Sequence, residues 1–322
     1  MSSPSLATRA GRLSGGLAMR AAQAALVALL VGILTFLMMQ SLPGDMAYRI
    51  AAGRYGYDMV SAAAADAVRQ ELGLDRGPVT AFLIWMRDLA TFDLGKSLIS
   101  GEPVWHEIRH QLGASVQLAG AAIVLSLFMG PPLGILAGLK PGGMLDRVLL
   151  TVSAGIRALP QFLLALVLIL LFAVQLGWLP AAGHGKPAHF VLPAVTLALG
   201  LAAFSARVTR DVMTGVAKAP FYQFARTKGL SDGQILLRHG LRNIGAPVLA
   251  FLGMQFVTLV EGVVIVESIF GWPGIGHALV HAIFGRDIPM VQGTALVLGL
   301  GFVLLNTLLD LVIQRIDPRR AA

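Results

Sequence analysis

Residues Ala114–Leu139 read ASVQLAGAAIVLSLFMGPPLGILAGL, 26 positions without a charged side chain. An α-helix rises about 1.5 Å per residue, so about 20 apolar residues cross the hydrocarbon core of a bilayer. A run this long and this free of charge has no place in a water-soluble domain. It sets the expected fold: all-α, built from membrane-spanning helices.

Five further stretches meet the same length test, near Leu17–Met39, Val148–Leu176, Phe190–Val212, Pro247–Val266 and Met290–Ile313. The expectation is therefore a six-helix polytopic bundle. Pro131, Pro132 and Pro160 fall inside the second and third stretches and predict kinks, which bundles accommodate when neighbours satisfy the freed backbone groups. The first stretch follows Arg9, Arg12 and Arg20 as a secretory signal does. Its apolar run is longer than a signal core and no small-residue cleavage site follows it, so it reads as a retained anchor.

Composition agrees. Hydrophobic residues make up 56% of the 322 and charged residues 13%, about half the charge of an ordinary soluble domain. Mean hydropathy is +0.75. Disorder is excluded on the same grounds. The net charge of +8 does not call for nucleic acid, because the cations are distributed by side. One set of segments carries Arg9, Arg12, Arg20, Lys140, Arg147, Arg207, Arg210, Lys218, Arg226, Lys228, Arg238, Arg242, Arg315, Arg319 and Arg320, whereas the short loops of the other side carry only Lys186 and Arg286. Basic loops stay in the cytoplasm, which puts both termini inside. Cysteine is absent, which removes disulfides and thiolate chemistry.

Two connections are long. Ser41–Gly113 lies outside and mixes charged stretches with apolar pieces such as Val79–Leu89. Arg207–Ala246 lies inside and is basic. The expected organisation is residues 1–110 as N-terminal segment, first span and external loop, 111–314 as a five-helix core, and 315–322 as a cytoplasmic tail.

The inside loop has local order written into it. Pro220 suits the first position of a helix and Gly229 the position after its end. Arg226 and Lys228 fall where the helix dipole favours cations. Ser231 with Gln234 fits a capping box opening a second helix. A hairpin of two short helices results, offering Phe221, Tyr222 and Phe224 beside fixed cations. Such a face suits a protein partner or an anionic lipid surface.

The run Phe221–Gly229, with Arg238, His239, Arg242, Asn243 and Pro247, resembles the coupling loop of ABC importer permeases. Ala225, Arg226, Lys228 and Gly229 match that pattern directly, while Gly240 and Gly245-Ala246 depart from it mildly. Other segments are similar to the dipeptide/oligopeptide/nickel branch of that family, in its first-type permease. They are Leu42-Pro-Gly-Asp45, Glu71-Leu-Gly-Leu-Asp-Arg76, Asp93-Leu-Gly-Lys-Ser97, Leu192-Pro193, Val266 to Gly276, Arg286 to Gly293, Asp310, and Asp317-Pro-Arg319. Gly77 before Pro78 is a local departure.

The resemblance implies a permease subunit in the bacterial inner membrane, importing peptides or a related solute such as nickel complexes or glutathione. It implies a second homologous permease as heterodimer partner, two ATP-binding cassette ATPases below, and a solute-binding protein outside. It implies that Phe221, Tyr222, Ala225, Arg226, Lys228, Gly229 and Asp232 form the ATPase-coupling loop. ATP and Mg belong to the partner subunits; this chain has no G-x-x-x-x-G-K-[ST] phosphate loop and is expected to bind no cofactor and catalyse nothing itself.

Ionisable groups within spans mark function by default. Glu267, near the outer end of span five, is expected to fix an irregular turn at Phe270–Gly276. Glu261 lies about one and a half turns deeper on another face, and Arg157 lies within span three. These, with Gln255 and Thr258, are candidates for the translocation path or outer gate; Asn306 serves packing or the path.

Two metal patterns compete with this reading. His106-Glu107-Ile108-Arg109-His110 matches the H-E-x-x-H of zinc proteases, yet no third ligand is apparent and Asp310 lies on a distant span. His277 and His281 stand four apart in an outer segment. No metal site is expected from either. A stand-alone secondary transporter or channel is a further class, but it calls for more intramembrane charges and for inverted repeats, neither of which the sequence displays.

Overall fold

The computed structural model describes residues 6–316 apart from 57, 59, 74–76 and 92. Its elements are helical: α1 (Leu6–Ser41), α2 (Met46–Tyr55), α3 (Ala62–Leu72), α4 (Pro78–Ala90), α5 (Val104–Leu139), α6 (Met144–Ala158), α7 (Gln161–Leu168), α8 (Pro187–Lys218), α9 (Pro220–Thr227), α10 (Asp232–Ile235), α11 (Leu241–Phe270), α12 (Ile275–Gly285) and α13 (Ile288–Ile316). Wider π-type turns continue α7 through Ile169–Gln175 and join α10 to α11 through Leu236–Gly240.

Four helices are long and apolar enough to cross a bilayer alone, through Met19–Met39 of α1, α5, α8, and Ile288–Leu308 of α13. Two bent pairs of helices are together long and apolar enough for the same test, each a broken span or a re-entrant loop. Met144–Ala158 meets Gln161–Gln175 at 105°, and Gly262–Phe270 meets Ile275–Gly285 at 74°.

The expected third span, Val148–Leu176, is thus not one kinked helix but two, with a sharp corner between them. Pro160 offers no N–H to a helical bond and drives its predecessor out of the helical region. Leu159 accordingly sits at φ −84°, ψ 126°. In contrast, α5 continues through Pro131 and Pro132.

The chain divides into two units. The first comprises Met1–Gln111 and Ala278–Leu308. Its small core pairs α2 with α3 through Ala47, Ile50, Ala51, Ala65 and Val68. Caps fix both helices: Asp45 accepts from the Ala47 N–H at 2.9 Å and Ser61 from the Ala64 N–H at 3.2 Å. Ion pairs clamp the pair, Arg69 to Asp45 at 2.5 Å and Arg54 to Glu71 at 2.8 Å.

Segments distant in sequence converge in this unit. Ser97 donates its hydroxyl to the buried Asp287. The other Asp287 oxygen accepts from the Leu98 N–H at 3.1 Å and the Met290 N–H at 3.3 Å, so the same carboxylate caps α13. Arg286 donates to the Pro43 carbonyl.

The second unit comprises Leu112–His277 and Leu309–Ala322. Its core draws Leu118 and Ala122 from α5, Leu164 and Leu168 from α7, Leu197 and Leu201 from α8, and Leu259 and Val263 from α11. Between spans, lipid is as apolar as leucine, so close packing and hydrogen bonds supply the association that hydrophobic burial supplies in water. α5 meets α8 through three glycines one turn apart. A Cβ at Gly134 would strike the Ala206 carbonyl oxygen, and one at Gly138 would stand 2.7 Å from that of Arg210. At Gly130 it would strike the Ser205 hydroxyl. Only glycine permits this approach.

Candidate functional site

The basic loop is folded almost throughout. α8 runs to Lys218, and Ala219 alone separates it from α9, in an extended conformation at φ −67°, ψ 145°. Pro220 takes the first helical position. At the other end Gly229 adopts φ +81°, and no atom lies within 4 Å of where a Cβ would stand, so its conformation rather than its space requires glycine. Ser231 and Gln234 form the capping box from both sides. The second arm differs from a short separate helix: α10 passes through the π-type turns directly into α11, with Ile235, Leu236, Gly240 and Leu241 all in the helical region.

Tyr222 corrects an expectation. The sequence places it among exposed aromatics, yet it is 0% exposed, packed with Met213 and Ala217 of α8, Ile235 of α10, and Ile244 and Val248 of α11. The physical reason is the one-residue link, which folds α9 back so that positions 222 and 225 face the two spans. Its hydroxyl donates to Asp232 at 3.4 Å. Burial, and then the charge of Asp232, push the Tyr222 phenol up from its ordinary value, so it stays a donor at neutral pH.

Arg226 is exposed but tied to the second arm. Its guanidinium forks onto Asp232, Nε to Oδ1 at 2.8 Å and Nη2 to Oδ2 at 2.9 Å, closing the bend with a bidentate pair. Gln223 donates to the Ala217 carbonyl at 2.6 Å, tying α9 to the end of α8. Ala225 is buried.

The exposed surface of α9 includes two large aromatic side chains. Phe221 is 40% and Phe224 61% exposed, and the Lys228 ammonium lies 4.5 Å from the Phe224 ring centroid. Leu237 joins them as an exposed leucine on the second arm. Sequence reasoning passed over Leu237. Its signal was an apolar residue inside a π-type turn, and that turn has no sequence signature comparable to a cap.

Among the described path candidates, Glu267 and Arg157 have different surroundings. The Glu267 carboxylate is fully buried. It accepts from the Ser115 hydroxyl and from the Gly276 N–H at 2.8 Å, at the start of α12. Ser115 accepts in turn from the Ile275 N–H at 2.8 Å. A Cβ at Gly274 would strike a Glu267 oxygen. The carboxylate thus satisfies the first amides of α12 and lies against the turn that precedes it. Arg157 ends α6 and is exposed; its guanidinium covers the Phe204 ring at 3.9 Å, and Phe204 stacks on Phe251 at 4.7 Å. Arg157 makes no ion pair with the described residues. Gln255 is half-buried, while the side chains of Thr258 and Glu261 lie outside the described residues.

Two polar contacts escaped the sequence reading. Asp146, 2% exposed, receives Arg210 through two bonds of 2.7 Å and the Gly142 N–H at 2.7 Å. Gln161, beside the corner of the bent span, donates to the Thr196 carbonyl at 3.1 Å. As for the protease pattern, Glu107 accepts from Ser100, and the described residues hold no group of three metal-ligating side chains.

Residues 130–322 match the family model described as a binding-protein-dependent transport system inner membrane component. The glutathione transport system permease protein GsiC of Pectobacterium atrosepticum is 36% identical over 290 residues, 90% of this chain and 93% of that protein. A putative peptide transport system permease protein of Brucella abortus is 38% identical over 308 residues, 93% of this chain and 96% of that one. The inward-facing MetNI methionine ABC transporter shares the fold at TM-score 0.52 and 19% identity, over 65% of this chain and 96% of that chain. A solved amino acid ABC transporter with histidines gives TM-score 0.51 at 19% identity, over 65% and 94%.

Proposed function

The chain belongs to the family of binding-protein-dependent transport system inner membrane components, and on that premise we propose that it forms half of the membrane pathway of an ATP-driven importer of short peptides. It is a multi-pass inner-membrane protein. Relatives are named for peptide and for glutathione transport. Glutathione is itself a tripeptide, so one substrate class covers both names.

The partners we assign are a second homologous permease, two ATPase subunits bearing ATP and Mg, and an external binding protein. The loop between α8 and α11 faces the cytoplasm in this reading, on the strength of Arg207, Arg210, Lys218, Arg226, Lys228 and Arg238. Phe221, Phe224 and Leu237 enter a groove of an ATPase. Tyr222, Ala225 and the Arg226–Asp232 fork hold α9 against α8 and α11, and Gly229 sets the bend. Force on the exposed face therefore moves both spans together. Arg157, Gln255, Thr258 and Glu261 line the path, where the Arg157 cation attracts peptide carboxylates, and Glu267 holds the turn before α12.

The observation that carries this is the division of the hairpin into a buried anchor, Tyr222, and an exposed apolar face, Phe221 and Phe224. Reconstitution with the two ATPases, the second permease and the binding protein tests it. ATP-dependent uptake of labelled di- and tripeptides is expected, and uptake of free nickel or single amino acids in their place would contradict it.

A further inference from the structure

The first unit holds a cavity of about 600 Å³, within the size range of small-molecule sites. Its lining is of two kinds. Phe36, Trp85 and Leu296 are apolar. Phe36 belongs to the apolar window Met19–Met39 and Leu296 to Ile288–Leu308, whereas Trp85 lies on α4. Asp45, Arg69, Asp88 and Asp93 are charged and lie outside those windows. Gln292 joins the lining, one turn after Pro289 and one before Leu296 on the same face of α13.

Gln292 is 5% exposed, and its Nε2 has no hydrogen-bond partner among the described residues. A buried amide donor without an acceptor costs about 1–3 kcal/mol. A lone orphan of this kind on a cavity wall points to an acceptor brought by a ligand.

We propose that this cavity binds one glycerophospholipid with an ammonium headgroup, phosphatidylethanolamine. One acyl chain lies against Phe36, Trp85 and Leu296. The Gln292 amide donates to the ester carbonyl, which in a lipid sits at the boundary between chain and headgroup. The ammonium meets the carboxylates of Asp88 and Asp93. Charge decides against an anionic lipid: the walls carry three carboxylates, Asp45, Asp88 and Asp93, against the single guanidinium of Arg69. Arg69 is engaged by Asp45 and Asp66, at 2.5 and 2.6 Å. Arg87 meets Asp88 at 3.0 Å but forms no wall. A water-borne peptide has no use for apolar walls drawn from two spans, whereas an amphiphile matches a lining that joins such walls to charged side chains.

The test is native mass spectrometry of the intact transporter, purified and exchanged into bilayer discs of equal phosphatidylethanolamine and phosphatidylglycerol. One phosphatidylethanolamine is expected to stay with each copy of this chain. Gln292→Leu should lower its retention about fivefold, the worth of one neutral hydrogen bond. Leu296→Trp should abolish it by filling the space along the apolar walls. Asp93→Asn, an exposed change that leaves packing alone, should reduce the preference over phosphatidylglycerol about twofold. Three outcomes overturn the proposal: phosphatidylglycerol retained in preference, retention equal in wild type and Asp93→Asn, or displacement of the lipid by added tripeptide.

Discussion

Asp146 receives both forks of the Arg210 guanidinium at 2.7 Å, while the Gly142 amide donates to the same carboxylate. The arrangement pins the turn before α6 to α8, eight residues ahead of the end of α8 at Lys218. Removing one partner of a buried pair strands the other charge, which costs about 3–5 kcal/mol. Asp146→Ala should therefore lower thermal stability sharply in a detergent melt. Asp211→Ala, which removes an exposed contact of the same arginine at 2.9 Å, should change it by less than about 0.5 kcal/mol. Equal shifts for the two variants would refute the pinning role.

The glycine contact between α5 and α8 makes a second prediction. Gly134→Val forces a side chain into the Ala206 carbonyl and should disrupt assembly of the span bundle. Gly215→Ala meets nothing within 4 Å and should be neutral or stabilising by up to about 1 kcal/mol through helix propensity. Protease resistance of the two purified variants discriminates the cases.

Acid should loosen the α2–α3 pair. Burial pushes the Asp45 carboxyl up, but the Arg69 guanidinium and the Ala47 amide outweigh it and hold the group below the usual carboxylate value. A group depressed in the folded state stabilises above its unfolded pKa and loses that contribution as pH falls through the folded one. The α2–α3 pair should accordingly loosen below about pH 4. In hydrogen exchange, Asp45→Asn should show weaker protection of this pair at neutral pH and less further change on acidification than wild type.

Within the hairpin, Tyr222 and Phe224 should behave differently on truncation. Tyr222→Ala opens a cavity between α9 and the two spans, at a cost of about 3–5 kcal/mol, and should unfold the hairpin. Phe224→Ala removes only surface area and should leave stability intact while abolishing ATP-driven uptake. Loss of stability in both, or in neither, would contradict the division into anchor and face.

The hairpin was legible in the sequence because caps and glycine bends are local: Pro220, Gly229 and the Ser231–Gln234 box each act within four residues. Which aromatic it buries was not, since that depends on the one-residue link folding α9 onto spans met elsewhere in the chain. Pro160 announced a disturbance, but the 105° corner depends on what each half packs against. The approach of Ser97 to Asp287 spans 190 residues, a distance over which no local pattern operates. Glu267 and Arg157 stood out as costly charges in spans; the amides of α12 and the Phe204 ring that receive them did not.

The chain contains no cysteine, so a single one introduced at position 224 reports without background. Phe224→Cys, combined with cysteines placed along the groove of the ATPase subunit, tests the coupling role directly in membranes. The expected result is a disulfide-linked permease–ATPase adduct at high yield that reverts to separate chains on reduction. No adduct at any groove position would contradict the coupling role.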